Sequence, residues 1–339
     1  MSFIPISAWA ESRDISTLFT LRDSITEGKG FLRNWFDSET PPCSWSGITC
    51  IGHNVVAIDL SSVPLYAPFP LCIGAFQSLV RLNFSGCGFS GELPEALGNL
   101  QNLQYLDLSN NELTGPIPIS LYNLKMLKEM VLDYNSLSGQ LSPAIAQLQH
   151  LTKLSISMNS ISGSLPPDLG SLKNLELLDI KMNTFNGSIP ATFGNLSCLL
   201  HFDASQNNLT GSIFPGITSL TNLLTLDLSS NSFEGTIPRE IGQLENLELL
   251  ILGKNDLTGR IPQEIGSLKQ LKLLHLEECQ FTGKIPWSIS GLSSLTELDI
   301  SDNNFDAELP SSMGERGNLT QLIAKNAGLS GNMPKELGN

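Results

Sequence analysis

The sequence predicts an α/β solenoid of about twelve coils, with one parallel strand per coil. Three observations predict it. The phrase LDLSNNELTGPIP at 106–118 returns as LDLSSNSFEGTIP at 226–238 and as LDISDNNFDAELP at 298–310. The asparagine that closes each LxLxxN phrase stands at Asn111, Asn135, Asn159, Asn183, Asn207, Asn231, Asn255 and Asn303, with Cys279 between the last two, always in steps of 24. The same step runs back to Cys87 and Val63 and forward to Ala327. A strict short period adds coils and does not enlarge one core, so 339 residues here need not divide into ordinary domains.

Within a coil such as Leu103-Gln-Tyr-Leu106-Asp-Leu108-Ser-Asn-Asn111, strand alternation points the leucines inward and the residues between them outward. The chain then turns in a dry interior where backbone groups need partners. An asparagine amide offers donors and an acceptor to neighbouring coils. Cys87 and Cys279 take its place where a small, weak donor suffices. In the second half, Leu113-Thr-Gly115-Pro-Ile117-Pro118, glycine turns the chain and proline fixes it, while Leu121 and Leu124 refill the core.

Residues 11–54 do not follow the period and are expected to form a cap over the first coil of a solenoid that runs over 55–339. An uncovered terminal coil would expose its leucines. The apolar spacing from Asp14 to Ile25 predicts an amphipathic helix. Trp35 and Trp45 fill the cap, and a bond between Cys43 and Cys50 staples it. Cys72, Cys87, Cys198 and Cys279 are expected to be free and buried.

Net charge is −14, from 19 basic and 33 acidic residues. Such a field repels nucleic acid and anionic membrane and favours basic partners. No apolar run reaches the roughly 18 residues of a membrane span. Residues 1–10 end in Ala8-Trp9-Ala10, which reads as the remnant of a signal peptide. Sequons at Asn83, Asn186, Asn195, Asn208 and Asn318 suit glycosylation on the secretory route to an extracellular or cell-surface location. His53, His150, His201 and His275 show no metal-ligand spacing, and no HExxH, GxSxG or P-loop string occurs, so no catalysis, cofactor or metal is expected.

The outward strand residues stand six, four, two and one positions before each ladder position and stack into columns on the concave face. Asp59, Asp107, Asp179, Asp203, Asp227 and Asp299 share one column and read mainly as solvated. The exceptions are apolar groups rimmed by charge, which is how an exposed binding patch reads. They are Glu129, Val131, Tyr134, Lys153, Met158, Leu177, Met182 and His201, and farther along Leu249, Ile251, Leu273 and His275, followed by Glu277 and Glu278. The twelve named before the two glutamates are the candidate ligand contacts. Asn83 lies in a concave column, and a glycan there would close the second coil.

The unit LxxLxLxxNxLxGxIPxxLGxLxx and the cap motif CxWxGIxC at 43–50 resemble the plant extracellular leucine-rich-repeat proteins. The start ESRDISTLFTLRDSITEGKGFLRNW resembles ectodomains of receptor-like serine/threonine kinases that control sporogenic cell number in the anther. The resemblance implies a right-handed superhelix with a parallel concave sheet. It also implies recognition of a small secreted cysteine-rich protein and a co-receptor kinase of the somatic-embryogenesis type. The membrane span and kinase domain of such receptors are not in this sequence, so it is expected to be an ectodomain fragment. An alternative is a secreted inhibitor of microbial cell-wall enzymes, like the polygalacturonase-inhibiting proteins. Those close with a C-terminal cysteine cap, whereas no cysteine follows Cys279 here.

One residue breaks a core column. Phe76, Leu100, Leu124, Leu148, Leu172, Leu196, Leu220, Leu244, Leu268 and Leu292 are followed by Arg316, and the chain after Leu309 is expected to be a loosened end. A guanidinium in a buried slot costs on the order of several kcal/mol unless it reaches water. Replacing Arg316 with leucine is therefore expected to raise the melting temperature in thermal denaturation. An unchanged melt shows that the column is not buried there.

Overall fold

The computed structural model describes residues 13–334 apart from 26–27, 29, 37–39, 307, 315–317 and 333. The signal-peptide remnant at 1–10 and Arg316 lie outside the described residues. The chain forms two compact units, Met1–Ser162 and Gly163–Asn339.

The first unit opens with the cap. Helix α1 (Arg13–Ser24) buries Ile15, Leu18 and Leu21, the apolar positions of its sequence period. Asp14 accepts a hydrogen bond from the Val55 N–H at 2.8 Å, which ties the helix to the first strand of the coils. Trp35 and Trp45 are buried and stacked, with ring centroids 5.1 Å apart, and Phe19 meets Trp45 edge-on. Their indole N–H groups donate to the carbonyls of Ser46 and Thr40. Strand β1 (Ile48–Ile51) pairs antiparallel with β2 (Asn54–Asp59), and the Cys43–Cys50 disulfide closes this segment. Gly47 has φ +80°, and a β-carbon there would lie 2.1 Å from the Asp59 carbonyl, so glycine is required in the cap motif.

From β2 onward every pairing in this sheet is parallel. In the first unit it continues through Arg81–Asn83, Tyr105–Asp107, Glu129–Val131 and Lys153–Ser155. The second unit carries Leu177–Asp179, His201–Asp203, Thr225–Asp227, Leu249–Ile251, Leu273–His275, Glu297–Asp299 and Gln321–Ile323. Partners are residues 24 apart, such as Leu178 with Phe202 and Leu226 with Leu250, so the sequence period is also the strand register.

Each coil returns through a short 3-10 helix. Examples are Glu95–Asn99 after Pro94, Ile119–Asn123 after Pro118 and Arg239–Gln243 after Pro238. Proline presets φ near −65° and leaves no N–H to satisfy at the start. Leu121 and Leu124 are fully buried, as expected. Between strand and 3-10 helix the coils form a second, narrower parallel ladder, where glycine and proline had suggested only a turn. It runs through Ser90–Glu92, Glu112–Pro116 and Ser136–Ser138 in the first unit, and in the second includes Thr184–Gly187, Asn208–Gly211 and Ser232–Gly235. These segments are too short to show an alternation in sequence, and coil-to-coil hydrogen bonding creates them.

The asparagine ladder is the polar core. Asn207 donates to the carbonyls of Ile180 at 3.0 Å, Ala204 at 3.2 Å and Ser205 at 3.1 Å, and its oxygen accepts from the Phe185 N–H at 3.0 Å. The other ladder asparagines repeat this pattern, and Asn111 also accepts from Cys87 and Phe89. The Cys87 thiol keeps the bond to the preceding coil, donating to Leu60 O at 3.0 Å, and Cys279 donates to Leu252 O at 3.6 Å. Burial pushes their thiols up to about 12 and about 11, which keeps them protonated donors. Cys72, Cys87, Cys198 and Cys279 are free, but only Cys87 and Cys279 are buried. Cys72 is half-buried and Cys198 is exposed, contrary to expectation. Cys198 sits in the turn between the inward residues Leu196 and Leu199, which take the two core positions and leave it facing solvent.

Asn207→Ala takes one donor from each of three carbonyls, which keep bonds from Asn183, Asn231 and Met182, and leaves the Phe185 N–H without its acceptor. It is expected to cost about 1–3 kcal/mol of stability. Asn207→Cys, which keeps a donor towards Ile180, is expected to cost less. Chemical denaturation of both variants checks the order.

Candidate ligand-binding face

The outward strand residues divide by what they do for the scaffold. In the aspartate column the carboxylate is an internal acceptor. Asp203 Oδ1 takes the Ser205 N–H at 3.0 Å and its hydroxyl at 2.6 Å, and Asp107, Asp227 and Asp299 do the same with Ser109, Ser229 and Ser301. Asp59 and Asp179 accept the N–H two residues on, from Ser61 and Lys181. Asn83 does likewise for Ser85 and is half-buried. Asp133 caps the next coil, accepting from the Ser155 hydroxyl and from the Ser157 hydroxyl and N–H. The column expected to be solvated is thus an Asx-turn device that holds the chain as it leaves each strand.

The residue just before each ladder position is left-handed. Tyr134, Met158, Met182 and Gln206 have φ of 54°, 51°, 50° and 53°. A non-glycine residue there costs roughly 1–2 kcal/mol. Bonds to the next coil hold it, such as Tyr134 N to Ser157 O at 3.0 Å and Met182 N to Ser205 O at 2.9 Å. The twist turns these side chains outward. Tyr134 is 51% exposed and Met182 37%.

The sequence-predicted contacts fall into separate groups. In the first unit, Glu129 and Lys153 are strand partners and both half-buried, and Met158 is half-buried. Val131 is corrected. It is only 9% exposed, a short branched side chain between its strand partners Asp107 and Ser155, and it offers little surface. The second unit holds Leu177 and His201 as strand partners, with His201 exposed and its Nδ1 3.2 Å from the Thr225 hydroxyl. Farther along the same unit Leu249 pairs with Leu273, and Ile251 with His275, all four half-buried. His275 Nε2 lies 2.9 Å from Glu297 Oε1. The sequons Asn186, Asn195, Asn208 and Asn318 are exposed, and Asn186 and Asn208 are register partners on the narrow ladder.

Two charged features escaped the sequence reading because they depend on neighbouring coils. Lys181 reaches Asp179 and Asp203, each at 3.4 Å. Partial burial pulls its pKa down, but the two carboxylates outweigh that and raise it. Asp227 lies beyond this bridge, and burial, then the Asp203 charge, raises its carboxyl against the opposing bonds from Ser229. The signal that could have found them is a lysine in a serine position beside the aspartate column. Among the described residues no group of three His, Cys, Asp or Glu could hold a metal, and no helix is long and apolar enough to cross a membrane.

With this geometry in place, comparison with known proteins identifies the family. A leucine rich repeat N-terminal domain model matches residues 11–51, and leucine rich repeat models match 74–137, 150–172, 174–196, 222–244, 246–268, 270–292 and 294–315. A leucine-rich-repeat protein of Leptospira interrogans is 33% identical, covering 83% of this chain and 68% of that one, with a TM-score of 0.67. The chain belongs to the leucine-rich-repeat family. Over 93 residues, 27% of the chain, it is 99% identical to the rice (Oryza sativa subsp. japonica) leucine-rich repeat receptor protein kinase MSP1. The ectodomain of the Arabidopsis thaliana receptor kinase GASSHO1/SCHENGEN3, solved in complex with CASPARIAN STRIP INTEGRITY FACTOR 2, matches 95% of this chain at 32% identity and a TM-score of 0.92. These matches span 7% of the rice kinase and 40% of the Arabidopsis ectodomain chain.

The raised Asp227 pKa sets a sign. The ionised carboxylate is disfavoured in the folded chain, so folding is penalised at pH above the folded pKa and not below the ordinary carboxylate range. Asp227→Asn keeps an acceptor for Ser229 and removes the charge. Its melting temperature is expected to exceed wild type at pH 7 and to converge with it as the pH falls below about 4, the ordinary carboxylate range, in melts across that interval.

Proposed function

We propose that the chain is the extracellular ligand-recognition region of a plant receptor kinase. Its open strand face takes a small secreted basic, cysteine-rich protein in the control of sporogenic cell number and anther development. The observation that carries this reading is the in-register aliphatic group of Leu249, Leu273 and Ile251, half-buried on a sheet face whose corresponding positions in the other coils are mostly polar or charged. Side chains that pack into no core of their own are suited to a partner, and the net charge of −14 favours a basic one. The near-identity to a segment of the rice receptor kinase supports the receptor reading, as does the shared fold of an ectodomain solved with its ligand. This face binds without catalysis, because an open face gives its carboxylates no dry pocket for acid–base work. A somatic-embryogenesis-type co-receptor is proposed as the second partner on the family resemblance alone. Exposed sequons at Asn186, Asn195, Asn208 and Asn318 fit a glycoprotein of the secretory route.

The test is capture from anther apoplast on the immobilised, plant-secreted chain, read by mass spectrometry, with a Leu249→Glu and Leu273→Glu double variant beside it. A small basic cysteine-rich protein is expected on the wild type and at least tenfold depleted on the variant. Equal capture on both refutes this face. Capture of a microbial cell-wall glycosidase in its place moves the function to the inhibitor class.

A further inference from the structure

The column two residues before the ladder reads Ser205, Ser229, Gly253, Glu277 and Ser301 in successive coils of the second unit. The three serines close their own coils by donating to Asp203, Asp227 and Asp299. The Gly253 coil lacks that device, since Ile251 replaces the aspartate and glycine replaces the serine. Gly253 is not held by its backbone, because its φ lies outside the left-handed region. The three atoms a β-carbon there would meet first all belong to the Glu277 carboxylate, with Cδ at 2.3 Å. Glu277 therefore leans across the missing side chain.

That carboxylate is unfinished. Glu277 Oε2 is shielded from solvent and has no hydrogen-bond partner. The nearby cations are committed elsewhere: Lys254 to Glu278, Lys272 to Glu248, and Lys181 to Asp179 and Asp203. His275, the strand partner of Ile251, is held by Glu297. Asp227, the other strand partner of Ile251, has its hydrogen bonds to Ser229 but no ion pair among the described residues. An aliphatic surface of Ile251, Leu249 and Leu273 is thus flanked by two carboxylates without a counter-charge, beside a gap in the side-chain row. Leaving a charge half out of water without a partner is costly, and a basic side chain with an apolar stem complements both halves of the surface.

We propose that this part of the strand face is a seat for one lysine or arginine side chain of the ligand. Its methylenes lie on Ile251 and its charged head is taken by Glu277 over Gly253, with Asp227 on the far side. A neighbouring aliphatic residue of the ligand covers Leu249 and Leu273. The inference rests on the receptor reading of this face and deepens it, by making Gly253 and Glu277 the residues that select for positive charge.

The probe is a labelled acetyl-Gly-Ser-Leu-Arg-Leu-Ser-Gly-amide, titrated onto the purified chain at low salt by fluorescence polarisation. Its twin carries citrulline for arginine, the same shape without the charge. The arginine peptide is expected to bind at least tenfold more tightly than the citrulline one, about 1.4 kcal/mol. Gly253→Ser, which restores the serine of the flanking coils and displaces the carboxylate, is expected to abolish that preference at an unchanged melting temperature. Glu277→Gln is expected to do the same by removing charge alone. Equal binding of the two peptides, no measurable binding of the arginine peptide, or a preference that survives both substitutions overturns the seat. If apoplast capture depends on Leu249 and Leu273 but is indifferent to Gly253→Ser, the receptor reading stands and the seat falls. Discrimination of the peptides with no plant protein captured leaves the seat standing and removes the receptor reading.

Discussion

The corner at which each strand turns inward, with its carbonyls facing a dry interior, is the constraint on which both units depend. One amide resolves it. Asn207 reaches one carbonyl in the coil before it and two in its own, while its oxygen takes an N–H of the preceding coil. Each asparagine thus bonds its own corner and the one before it, so the corners must recur in step and the period cannot drift within a unit. Where cysteine substitutes, the bond to the preceding coil is kept by both the Cys87 and Cys279 thiols, and Cys87 also keeps a longer one to Ser85 O in its own coil.

Fixed corners fix the strands, and fixed strands leave few outward positions for a partner. The scaffold itself uses many of them. The aspartates and serines of the strand ends bond one another, and the left-handed residue before each asparagine is held by the next coil. Outward positions without an internal Asp–Ser bond are left where a coil departs from this arrangement. The coil of Leu249, Ile251 and Gly253 departs from it at two positions, Ile251 and Gly253, and Leu273 and His275 of the following coil pair in register with Leu249 and Ile251.

The cap obeys the same hydrophobic requirement as the coils by other means. A helix, two stacked tryptophans and a disulfide-closed hairpin cover the first leucines. The Asp14 carboxylate, bonded to the Val55 N–H, joins the two kinds of structure at one buried point. Burying a carboxylate there is tolerable because its oxygen is hydrogen-bonded to the chain.

The sequence by itself determined the coil, the register, the inward leucines, the asparagine ladder, the cap helix and the Cys43–Cys50 bond. Each is written as a periodic or local pattern, and residues 24 apart meet because the period is the register. Most of the candidate face was legible in the same way, since Leu249, Leu273, Tyr134 and Met182 follow from counting back from the ladder. Tertiary structure decided what counting cannot reach. Val131 is covered by its neighbours, the aspartate column serves the backbone, Cys198 faces solvent between two inward leucines, and Glu277 lies across Gly253. Position in the repeat sets where a side chain starts. Where it ends, and whether it keeps a free hydrogen bond or charge, depends on the shape and chemistry of the side chains in the coils on either side.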